Sequence, residues 1–118
     1  MMKITALALL LATPLAAHEP GIGPNGGMQV DAGPYRVEVT TAGTLVNVFV
    51  TMDDESELDT STLSGTAMLL VDGKPLRATL APSEPGVLSA DTDTELPQEV
   101  SGAVQITGAD GVSAQAKF

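Results

Sequence analysis

From Met28 onward apolar residues recur at every second position, a period that suits strands and does not suit helices. Tyr35, Val37 and Val39 alternate with Arg36, Glu38 and Thr40, so 35–41 reads as a strand with one solvated face. Over 44–52, Val46, Val48, Val50 and Met52 share one face, while Leu45, Asn47, Phe49 and Thr51 take the other. Only Thr41-Ala42-Gly43 joins these two segments, which predicts a hairpin. Residues 65–71 and 75–81 form a second expected hairpin around Asp72-Gly73, a pair that accepts the positive φ angles of a type I′ turn. A third pairs 103–107 with 112–118, with Val112, Ala114, Ala116 and Phe118 expected to face the core. The acidic, hydroxyl-rich segment 53–64 reads as a solvated crossover. The prediction for 28–118 is an all-β, antiparallel β-sandwich of seven or eight short strands with immunoglobulin-like or Greek-key wiring.

Two further regions precede that domain. Lys3, the apolar run Ile4 to Leu11 and the small residues Ala16-Ala17 have the order of an export signal, so 1–17 is expected to be cleaved and the product to be periplasmic. The apolar run is too short for the ~20 residues of a membrane span, which argues against membrane insertion after cleavage. Residues 18–27 (HEPGIGPNGG) form a Pro/Gly-rich arm, ended by residues that accept positive φ.

Composition narrows the function. Tyr35, Phe49 and Phe118 are the only aromatics, so the core must be aliphatic. With Lys3 removed, Arg36, Lys74, Arg77 and Lys117 face 15 acidic residues, a balance that excludes nucleic acid as a partner. Cysteine is absent, which removes disulfides and thiolate chemistry. The single histidine, His18, has no Gly-x-Ser-x-Gly elbow beside it, and the glycines of the arm precede a strand where a phosphate loop needs a helix. The chain is therefore read as non-enzymatic.

Metal is the most specific chemistry the residues offer. Cleavage after Ala17 would leave a free α-amine next to the His18 imidazole, a bidentate nitrogen pair suited to Cu(II), with Glu19 as an oxygen donor. The thioethers of Met28, Met52 and Met68 are soft ligands for Cu(I), although methionine on strands is more often core filler. Copper at His18, Glu19 and Met28 is thus the candidate site. The acidic run Asp53, Asp54, Glu55, Glu57 and Asp59 lacks the spacing of a calcium loop. A metal-free module that docks on an envelope protein is the alternative.

The run Gly23-Pro24-Asn25-Gly26-Gly27, followed by Asp31-Ala32-Gly33-Pro34-Tyr35-Arg36-Val37-Glu38-Val39, resembles a group of small bacterial periplasmic proteins. It is also similar to the N-terminal β-domain of periplasmic adaptor subunits from heavy-metal efflux pumps of the resistance-nodulation-division type. There a Gly-Pro-His/Asn-Gly-Gly segment precedes a strand reading roughly Gly-x-Tyr/Phe-x-Val/Leu-Glu, and a segment like Leu63-Ser64-Gly65-Thr66-Ala67 opens a later hairpin. The resemblance implies a periplasmic β-sandwich tied to copper or heavy-metal homeostasis, with a metal-efflux component as partner. The chain departs from the family in lacking helical-hairpin and lipoyl-like domains, and in carrying Asn25 where some relatives have histidine.

Overall fold

The computed structural model describes residues 20–56 and 58–118. The expected leader 1–17, and His18 and Glu19, lie outside the described residues. Among the described residues nine strands form: β1 (Gly21–Ile22), β2 (Met28–Ala32), β3 (Tyr35–Ala42), β4 (Leu45–Met52), β5 (Ser64–Val71), β6 (Lys74–Glu84), β7 (Val87–Asp91), β8 (Gly102–Thr107) and β9 (Ser113–Lys117). A 3-10 turn, Thr60–Thr62, interrupts the crossover from β4 to β5. Among the described residues no helix is long and apolar enough to cross a membrane.

The strands are joined in the order β1-β2-β3-β4-β7-β6-β5-β8-β9, every neighbouring pair antiparallel, and the sheet curls into a half-barrel. β6 makes the bend possible. Its first part, Lys74 to Leu80, pairs with β5, and its last part, Ala81 to Glu84, pairs with β7. The register slips between Pro82 and Glu84, where a residue without an N–H cannot continue a regular ladder.

The three expected hairpins are present. Ala42 pairs with Leu45, Val71 with Lys74 and Thr107 with Ser113 at their ends. Asp72 and Gly73 both have positive φ (52° and 76°), as a type I′ turn requires. The alternation also locates the interior: Val46, Val48 and Val50 are fully buried, as are Val37, Ala67, Leu88, Val104, Ile106 and Ala116. At about 1.5–3 kcal/mol for each large aliphatic side chain removed from water, these residues supply the driving force that the few aromatics cannot.

Three expectations need correction. The strand count is nine, above the seven or eight expected, because β1 is only two residues long and β7 carries adjacent buried residues, Val87 and Leu88, that break the alternating signal. Val112 does not face the core and is 65% exposed. It closes the 108–111 turn, with its N–H donating to Asp110 Oδ1, before the strand begins. Finally, the outer face of β3 is not uniformly solvated, since Glu38 on that face is 1% exposed.

Candidate functional site

The chain from Gly23 to Gly27 turns back on itself before entering β2. Gly26 N–H donates to Gly23 O (3.0 Å) and Gly23 N–H to Gly27 O (2.7 Å), which closes a three-residue hairpin loop of Pro24, Asn25 and Gly26. Pro24 presets the first turn position, and Gly26 takes the left-handed φ of +83° that ends such loops. Gly27 is needed for a different reason. A Cβ built there would lie 2.1 Å from Val39 O, so the arm can cross β3 only with a hydrogen at that position.

The loop closes over Glu38. Oε2 accepts from the backbone N–H of Asn25 (2.9 Å) and of Gly27 (2.8 Å). Oε1 accepts from the Asn25 side-chain amide (2.9 Å), and the Asn25 N–H is shared with it at 3.3 Å. Withdrawing a carboxylate from water costs several kcal/mol, and three N–H groups aimed at its two oxygens offset that cost. A Cβ at Gly23 would lie 2.4 Å from Glu38 Cδ, so the loop packs directly on the carboxylate. The Gly-Pro-Asn-Gly-Gly run and the later Glu38 are therefore two halves of one clasp.

Beside the clasp the outer face carries a row of residues in cross-strand register: Gln29 on β2, Glu38 on β3, Phe49 on β4 and Val87 on β7. A groove of 440 Å³ runs over this row, with Pro24 and Asn25 on one bank and Leu58, Glu84 and Pro85 on the other. Phe49 is half-buried there, on the face of β4 that the alternation assigned to it. A smaller hollow of 290 Å³ continues beyond Leu58 and Pro85, past Asp59 and Ser83.

The far bank is fixed by two bonds through Gly86. Its N–H donates to Thr60 Oγ1 (2.9 Å), and its carbonyl accepts from Val50 N–H (2.9 Å). Asp59 orders the turn by accepting from the N–H and hydroxyl of Ser61, and these bonds hold its carboxyl below the usual carboxylate range. Ser56 does the same for Asp54. Arg36 pairs with Glu55 at 2.9 Å beside the groove.

Of the candidate metal residues, Met28 begins β2, is 41% exposed, and lies opposite Ile22 in β1. Met28, Met52 and Met68 do not converge. Met28 pairs with Val39 and Met52 with Tyr35, four residues or ~13 Å apart along β3, and Met68 lies on β5 between Arg77 and Ala103. Among the described residues no group of three or more His, Cys, Asp or Glu side chains is placed to hold a metal. Sequence reasoning did not find the clasp or the groove. The available signal was Pro24-Asn25-Gly26, a three-residue hairpin loop with proline first and glycine last. Compared with known proteins, the chain matches no family model, no curated protein and no solved structure.

Proposed function

We propose that this chain is an exported, non-enzymatic accessory protein of the periplasm that docks on an envelope protein through its outer-face groove. One observation carries the reading: both oxygens of Glu38 are engaged by the arm, so the buried carboxylate holds a preformed groove open and is not offered to a substrate. Each bank is tied to the sheet by its own hydrogen bonds, which lowers the ordering cost of binding. The order β4-β7-β6-β5, with a long connection from β4 to β5, supports reading the curled sheet as a Greek-key, immunoglobulin-like sandwich.

A photoreactive residue at Thr51, in the groove, is expected to give a discrete adduct with one envelope protein in living cells, identified by mass. The same residue at Gln105, on the outer face of β8, is expected to give none. Equal adduct patterns from the two positions would remove the groove as the docking surface.

A second reading, copper binding, is favoured by the exposed Met28 thioether at the base of the arm. The α-amine and imidazole of His18, with Glu19 and Met28, are its ligands. Protein with an authentic His18 terminus is expected to bind Cu(II), and also Ag(I) as a Cu(I) stand-in, and to lose the Cu(II) binding when a methionine precedes His18. Affinity no tighter than about micromolar would count against a copper role.

A further inference from the structure

We infer that the groove recognises an extended segment of a partner protein that presents a lysine or arginine flanked by apolar residues, an inference that rests on the docking reading above. The floor and far bank supply Phe49, Leu58 and Pro85, a surface that suits the aliphatic stem of a long basic side chain. Phe49 also places an aromatic ring in the groove, a group to which a cation is attracted. Glu84, exposed at the end of β6, stands on the rim to receive the charged head. Glu38 lies beneath, and among the described residues no lysine or arginine lines the groove. Arg36, a nearby cation, is paired with Glu55 and does not neutralise the groove.

Charge also disfavours the other occupant that the surface would accept. A second copy of this chain, at a formal net charge of −10, would bring like charge against like. A basic segment meets an opposite potential from the whole molecule as well as from the groove, which speeds its encounter and orients it.

The test is a nuclear magnetic resonance titration of the isotope-labelled protein with two blocked synthetic peptides, one alternating leucine with arginine and one alternating leucine with glutamine. The arginine peptide is expected to shift the amides of Phe49, Thr51, Gly86 and Val87, and to bind more tightly than the glutamine peptide. Glu84→Gln should weaken it about threefold, the range of one exposed ion pair. Phe49→Thr should weaken it about tenfold, as loss of an aromatic anchor does. Glu99→Gln, which removes the same charge on the loop between β7 and β8, should leave the affinity unchanged. If Glu99→Gln weakens binding as much as Glu84→Gln, the attraction is diffuse and the basic-side-chain site is overturned. If both peptides shift the groove amides with equal affinity, docking stands and the preference for a cation falls. If neither peptide moves those amides, the docking reading and this inference fall together.

Discussion

Glu38→Ala is expected to lower the thermal midpoint by about 10–20 °C, the equivalent of about 2–3 kcal/mol in a domain of this size. The substitution removes both acceptor oxygens, so the N–H groups of Asn25 and Gly27 lose the partner they have at 2.8–2.9 Å. Those donors need not stay dry. The arm can lift from the sheet and rehydrate them, which is why the loss stays below the sum of three charge-assisted bonds. Lifting in turn removes Pro24 and Asn25 and so dissolves the near bank of the groove. Calorimetry reads the stability, and amide hydrogen exchange at Asn25 and Gly27 reads the arm. Glu38→Gln separates shape from charge: it keeps one acceptor oxygen but turns an NH2 toward donors, so its midpoint should fall between wild type and alanine. An unshifted midpoint with Asn25 and Gly27 still protected would mean that the arm is held by something other than this carboxylate.

The strands were legible where one face was apolar and the turn chemistry was explicit. Val46, Val48 and Val50 announced the buried face of β4, and Asp72-Gly73 announced its turn, because side-chain alternation and positive φ are local properties. β7 was not legible. Leu88 faces the core opposite Val48, while Val87, on the outer face, is also buried, in the groove lined by Leu58 and Pro85, a setting made across the fold and not along the chain. Glu38 failed for the same reason: its position in an alternating strand correctly placed it on the outer face, but what covers that face comes from residues 11 to 13 positions earlier. The motif Gly23 to Gly27 was noticed as a pattern. Its physical purpose needed the register of β2 against β3, which no local rule supplies.

The two adjacent glycines of that motif allow a sharper test of the clasp. Gly26→Ala meets no atom within 4 Å and bears only the left-handed φ, a cost of about 1–2 kcal/mol. Gly27→Ala has an ordinary φ but places its methyl within 2.1 Å of Val39 O, a backbone atom with no room to yield, so the arm must move and the expected loss is about 2–4 kcal/mol. If the arm moves, Glu38 loses its donors in the same event. The double variant Glu38→Ala with Gly27→Ala should therefore fall well short of the summed single effects, because an arm already detached cannot be detached again. Urea denaturation of the four proteins closes the cycle. Strict additivity would mean that Gly27 and Glu38 stabilise the fold through separate contacts, and the arm and β3 would then be neighbours without being coupled.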